Sequence, residues 1–205
     1  MKSGTELPAC ATSLHPRRGD GLLLVDMQND FLPGGRLAVP GGDEIIPGLN
    51  CYLDLFQRSA LPVYASRDWH PADHCSFREQ GGIWPPHCIA GSPGAAFPPE
   101  LSLPATTTTI SKATRQDADT YSAFEGTDLE QRLRAEGVTR LFVGGLATDY
   151  CVLNTVRDAL KLKFGVLLLL DGIRAVNLNP DDGRYAIEEM TALGARPVRF
   201  AEIAA

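Results

Sequence analysis

The chain has 205 residues, 44% of them hydrophobic and 21% charged, which gives one ordinary domain enough core to fold without a stapling metal or disulfide. A net charge of -6 argues against nucleic acid or an anionic membrane as partner, and the longest apolar run, FGVLLLL between Lys163 and Asp171, is too short to span a bilayer. Five cysteines in no framework spacing suit a reducing cytoplasm, and the start, MKSGTELPACATSLHPRRGD, lacks an apolar stretch of signal-peptide length.

Residues 1–18 read as a poorly ordered tail and 19–205 as one domain without internal repeats. GLLLVD is a first strand ending in Asp26. A helix follows in which Ile46, Leu49, Leu53 and Phe56 recur at helical spacing, with Asp43 and Glu44 placed for its first turn. LPVYAS leads to Asp68 as strand two, and residues 70–106 then form a long irregular region of the kind that is usually functional. TTTTIS is a third strand ending at Lys112, and TDLEQRLRAEG is a helix with Thr127 and Glu130 as capping box and Gly137 as stop. Strand four, RLFVGG, runs through GGLATDYC to Cys151 at the start of a helix, with Thr148 or Asp149 as its cap and Val152, Val156 and Leu160 as its buried stripe. FGVLLLL is a buried fifth strand. NPDDGRYAIEEMTALG is a helix capped by Asn179, with Pro180 first and Gly194 past its end, and RPVRF is the last strand. This alternation predicts an α/β fold, a three-layer αβα arrangement around a central, mostly parallel six-stranded sheet.

Ligands of open parallel sheets bind beyond the carboxyl ends of the strands. There the sequence places Asp26, Asp68, Lys112 and Cys151: an acid, a metal-ligand candidate, an amine and a thiol. A helix start and Lys112 are expected to lower the pKa of the Cys151 thiol, making it a nucleophile, with Asp26 as proton carrier and Lys112 as the cation holding both ionised. Cys10, Cys51, Cys75 and Cys88 have no such address and read as inert, and Asp30 reads as a turn cap.

The segment RDWHPADHCSFREQGGIWPPHC holds three of the four histidines and both tryptophans. Asp68 and His70, two apart on an extended end, point the same way, and the chain returns with His74 and His87. One carboxylate with two or three imidazoles leaves coordination positions open, which suits a catalytic Zn²⁺, Fe²⁺ or Mn²⁺. A structural zinc site on Cys75 and Cys88 is the rival, but their separation of thirteen fits no short Cys-x₂₋₄-Cys knuckle.

VDMQNDFLPGGRLAV, DWHPADHCSF, WPPHC, YSAFEG and GGLATDYCV, in this order over about residues 21–198, resemble the successive signatures of the nicotinamidases, also called pyrazinamidases, within the isochorismatase-like cysteine hydrolases. The resemblance implies Asp26, Lys112 and Cys151 as catalytic triad, and Asp68, His70 and His87 as ligands of one divalent metal, with His74 joining in some members. It further implies Phe31, Leu37, Trp84 and Tyr121 around a pyridine ring, and a cis peptide before Ala147 that aims the backbone N–H groups of Ala147 and Cys151 at the substrate oxygen. Two positions depart from the pattern. The ATRQDADT stretch between Lys112 and Tyr121 is longer than in some relatives, and Tyr150 stands at the pocket edge where other members have histidine. The implied reaction is deamidation of nicotinamide, and of pyrazinamide, with zinc the first choice of metal; the family also leaves a homo-oligomer open. Another small-amide or vinyl-ether hydrolase of the same fold, and a non-enzymatic metal or thiol-redox protein, are the competing readings; the second lacks the expected Cys-x-x-Cys pair.

Overall fold

In the computed structural model, which describes residues 14–203, the six apolar runs become the strands β1 (Asp20–Val25), β2 (Val63–Asp68), β3 (Thr108–Lys112), β4 (Arg140–Leu146), β5 (Gly165–Arg174) and β6 (Arg196–Val198). They form one sheet in the order β3-β2-β1-β4-β5-β6, with every neighbouring pair parallel. Helices α1 (Ile46–Arg58), α2 (Leu129–Ala135), α3 (Leu153–Lys161) and α4 (Asp182–Ala192) make up the outer layers of the three-layer α/β fold.

Alternation along the strands sorts the core into two halves. Leu22 and Leu24 of β1, with Phe142, Leu167 and Leu169, pack with Leu49, Leu53 and Phe56 of α1. Leu23 and Val25, with Val143 and Leu168, pack on the opposite side with Leu129 and Leu133 of α2, Val156 and Ala159 of α3, and Met190 of α4. The strand order reverses between β1 and β4, which opens a crevice at their carboxyl ends. Val25 pairs there with Gly145, whose φ is +117°; a Cβ on Gly145 would lie 2.0 Å from the Val25 carbonyl oxygen, so only glycine lets the strands meet.

Several local expectations are corrected. Asp43 and Glu44 precede α1, which starts at Ile46 with Pro47 in its first turn, and Glu44 pairs instead with Arg174. The Thr127–Glu130 capping box does not form: Asp128 is the N-cap and Glu130 pairs with Arg134 one turn on, although Thr127 Oγ1 still accepts from Leu129 N. Helix α4 is capped by Asp181 rather than Asn179, so Pro180 lies ahead of the helix. β5 runs on past Asp171, because Ile173 and Arg174 resume the pairing with Gly145 and Leu146 of β4, while the Asp171 carboxylate accepts from the Tyr52 hydroxyl at 2.7 Å and from Phe200 N at 2.9 Å. Residues 14–18, assigned above to the tail, lead into β1, with Leu14 buried and bridged to Ile203; the rest of that expected tail, residues 1–13, lies outside the described residues. Among the described residues no helix is long and apolar enough to cross a membrane.

Candidate active site

Asp26, Asp68, Lys112 and Cys151 all lie at the carboxyl edge of the sheet. Asp26, one residue beyond β1, has a φ of 49°, a left-handed conformation rare for aspartate and of the kind that concentrates at functional sites. It is fully buried, and its Oδ1 accepts from Ser66 Oγ at 2.7 Å. Lys112, buried at the end of β3, directs Nζ to Asp26 Oδ2 at 2.9 Å, to Asp68 Oδ1, and to Cys151 Sγ at 3.5 Å. One ammonium thus joins two buried carboxylates and a buried thiol.

A single cation cannot compensate two buried carboxylates equally, so their proton affinities separate. Burial opposes ionisation of Asp68, yet Lys112 and His70 outweigh it and hold its carboxyl well below the usual range. For Asp26 burial prevails over Lys112, with the Asp68 charge adding to it, and the pKa is raised. Lys112 is held charged: burial works against the ammonium, but Asp26 and Asp68 push its pKa well up. Two carboxylates driven apart in this way mark one as fixed charge and the other as proton carrier.

The Cys151 thiol reverses the expected direction. Burial pushes its pKa well above the ordinary value, and Lys112 counters this only in part. Neither Thr148 nor Asp149 caps the helix start. Residues Thr148–Val152 form one π-helical turn whose N-cap is Ala147, and the Asp149 carboxylate instead accepts from Val176 N at 2.9 Å and Asn177 N at 2.8 Å. The Leu146–Ala147 peptide is cis, in line with the resemblance.

The region between β2 and β3 is irregular but fully threaded. His70 N donates to Cys88 O at 3.0 Å and Ala90 N to His70 O at 2.8 Å, so the returning chain lies alongside its start and brings His87 to His70. Asp68, His70 and His87 each present a ligand atom within 4.8 Å of the others. His70 Nδ1 meets Ala113 O at 3.3 Å and His87 Nδ1 meets Pro85 O at 2.8 Å, so each ring donates from Nδ1 and keeps the Nε2 lone pair free. His70 Nε2 is buried without a hydrogen-bond partner, 3.7 Å from Asp68 Oδ2, and burial lowers the His87 pKa, favouring neutral imidazole. An orphaned buried acceptor beside a carboxylate and a second imidazole fits a divalent metal. Asp26, Asp68 and Cys151 also cluster closely enough for an ion, but there Lys112 already supplies the cation.

His74, which the resemblance adds to the ligands only in some members, stands outside this group. Its Nδ1 pairs with Ser76 Oγ at 2.7 Å and its Nε2 with Ala118 O at 3.1 Å, so both nitrogens are engaged, although its ring lies 4.2 Å from that of His70. The extended segment after Lys112 causes this. It folds over the histidine region, receiving Cys75 N at Gln116 O and pairing Gln116 with Asp73. The same segment delivers Tyr121 to the pocket, where its hydroxyl accepts from Trp84 Nε1 at 3.1 Å.

One pocket is lined by Cys151, Ala147, Asp68, His70 and His87, with Phe31, Leu37, Trp84, Tyr121 and Tyr150 as walls. Tyr150 meets Trp84 edge-on at 5.3 Å between ring centroids. Val39, Asp119, Thr120 and Val176 also line it, and Ser66 holds Asp26; none of these was anticipated. Val39 could have been found from its place two residues beyond Leu37, but Val176 comes from the chain after β5, where its N–H donates to Asp149.

The sequence matches the isochorismatase domain over residues 20–202. The chain belongs to the isochorismatase family. Within it, the chain is 43% identical to the nicotinamidase of Escherichia coli, with 85% of this chain and 92% of that protein covered. Its fold is similar to the pyrazinamidase of Pyrococcus horikoshii solved in complex with zinc, at TM-score 0.86 and 48% identity over 89% and 99% of the two chains. It is also similar to the L. infantum protein solved in complex with nicotinate, at TM-score 0.84 and 37% identity over 91% and 96%.

Proposed function

We propose that this protein hydrolyses nicotinamide to nicotinate and ammonia through a thioester on Cys151, as a salvage enzyme of NAD metabolism in the cytoplasm, and that it deamidates pyrazinamide as well. The observation that carries the reading is that Asp68 serves two sets at once. One oxygen meets Lys112 of the Asp26–Lys112–Cys151 group and the other faces His70, so both sets border one aromatic-walled pocket. The relatives named above act on, or were solved with, molecules of this kind.

In the resting site the thiol keeps its proton. As the carboxamide carbon approaches Sγ, Asp26 takes the thiol proton, and the C–S bond forms while the carbonyl becomes an oxyanion. The backbone N–H groups of Ala147 and Cys151 are the donors to that oxygen, worth roughly 3 kcal/mol each in the transition state. Asp26 then passes its proton to the departing ammonia, takes one from the water that attacks the thioester, and returns it to the Cys151 sulfur as the C–S bond breaks and nicotinate leaves. Lys112 holds the anionic forms of Asp26 and Cys151 while the proton moves. Asp68, His70 and His87 would hold a divalent ion, zinc in this reading with iron or manganese as alternatives, which when bound supplies a Lewis-acid site for the pyridine nitrogen. Phe31, Leu37, Trp84, Tyr121 and Tyr150 enclose the ring.

The direct test is ammonia and nicotinate release by the purified chain given nicotinamide; no release sinks the proposal. For Asp26→Asn the expected result is loss of acylation, because the amide matches the carboxylate in shape but cannot accept the thiol proton. Mass spectrometry of enzyme quenched during turnover checks it, and a normal acyl-enzyme in the variant would assign the base elsewhere.

A further inference from the structure

The side chain of Gln28 is fully buried in the turn that follows β1, and each of its hydrogen-bonding groups has a backbone partner. Nε2 donates to Asp68 O at 2.8 Å and to Ala95 O at 2.9 Å, while Oε1 accepts from Asp68 N at 2.7 Å. The sheet explains the arrangement. The β1–β2 register ends at Leu24 and Ala65, and the last backbone bond on that side runs from Asp26 N to Ser66 O, because β1 then turns away. Asp68 is thereby left with Lys112 of β3 on one side and no strand on the other. The Gln28 amide takes the place of the missing strand, closing both backbone groups of Asp68. An uncharged amide is required: it alone among side chains of this length offers two donors and an acceptor in one plane.

Asp68 has to be held with unusual accuracy, since one oxygen meets Lys112 and the other faces His70 Nε2. The second Gln28 donor reaches the Pro93–Ala95 turn, where Gly94 packs against the Asp30 carboxylate, and Asp30 Oδ2 accepts from Cys88 N, beside His87. We infer that Gln28 is a positioning residue for the metal-binding group, setting the Asp68 carboxylate directly and bracing the loop that carries His87. The inference rests on the reading of Asp68, His70 and His87 as a metal site.

The experiment is a Co²⁺ titration of the full chain after metal removal, followed by visible absorption, with thermal unfolding of the metal-free proteins alongside. Gln28→Met keeps the volume and removes all three bonds. Gln28→Glu keeps the acceptor toward Asp68 N but has at most one donor for the two carbonyls. Asn50→Ala is the control, because Asn50 likewise clamps backbone, Glu100 O and Ser102 N, away from the histidines. The Co²⁺ dissociation constant should rise about 10- to 100-fold in Gln28→Met with a changed absorption band, and by less in Gln28→Glu. Asn50→Ala should lower the unfolding temperature and leave the titration as in the wild type. If Gln28→Met does not fold, Gln28→Glu carries the test by the same criterion. Variants that titrate like the wild type, in a protein that His70→Ala deprives of Co²⁺, would overturn the role of Gln28 alone. An equal loss in Asn50→Ala would overturn it too. A wild type without any Co²⁺ band that depends on His70 would overturn the metal reading and this inference together.

Discussion

Cys151→Ala should abolish nicotinamide turnover, with a fall of at least ~10⁴ in kcat, because removal of a nucleophile leaves only what binding and oxyanion donors provide. Nicotinamide and metal should bind as before, since Sγ belongs to the Lys112 group and the free imidazole lone pairs belong to His70 and His87. Ammonia release, metal analysis and a calorimetric nicotinamide titration on wild type and variant check all three statements. The alternative has a structural basis, because Asp26, Asp68 and Cys151 cluster tightly enough to hold an ion themselves. Loss of metal together with activity would move Cys151 into the coordination shell and displace Lys112 from its role.

The raised Cys151 pKa changes how this nucleophile is understood. A thiolate standing ready at neutral pH would need a polar, partly exposed address, whereas Cys151 is 6% exposed and sits among Val152, Val156 and Leu168. In the proposed mechanism activation is then coupled to substrate: the proton leaves as the C–S bond forms, and it leaves to Asp26, whose own raised pKa suits it to receive and return a proton. The buried thiol is also shielded from oxidants, which attack the thiolate.

What was legible in the sequence follows from parallel-sheet geometry. An apolar run identifies a strand, its carboxyl end faces the crevice, and Asp26, Asp68 and Lys112 are each found from that rule alone, whereas Cys151, five residues past the end of β4, also needs the helix start that follows. His70 follows from the two-residue period of the extended chain. His87 does not, because its approach depends on the pairing of His70 with Cys88 and Ala90 across an irregular loop. His74 is left open by the sequence, as a ligand in some members only. Its exclusion is decided by Ser76 beside it and by Ala118, 44 residues away, on the segment that is longer than in some relatives. The missed helix starts have a similar origin: Glu130 had a competing partner in Arg134, and the N-cap position of α4 fell to Asp181, two residues beyond Asn179. The direction of the Cys151 pKa depends on burial by elements distant in sequence, which no local pattern records.

Benzamide, which has the carboxamide of nicotinamide but no ring nitrogen, should be hydrolysed at least ~10² less efficiently in kcat/KM. A site built to satisfy one polar atom can reject an analogue lacking it by ~10⁴, but water can fill the vacancy, so the smaller figure is the firm expectation. The free nitrogens of His70 and His87 border the same pocket as Cys151; in the proposed mechanism they serve the ring, while Asp26, Lys112 and the backbone donors serve the carboxamide. His70→Ala should therefore cost nicotinamide most of the advantage it has over benzamide, and leave the low benzamide rate within a few-fold of wild type. If His70 and its neighbours took part in attack on the carboxamide itself, both amides would lose alike and the ratio between them would persist. Measuring kcat/KM for both amides on wild type and His70→Ala, with metal content determined in each preparation, separates the two; equal wild-type rates for nicotinamide and benzamide would remove the ring nitrogen from the recognition scheme.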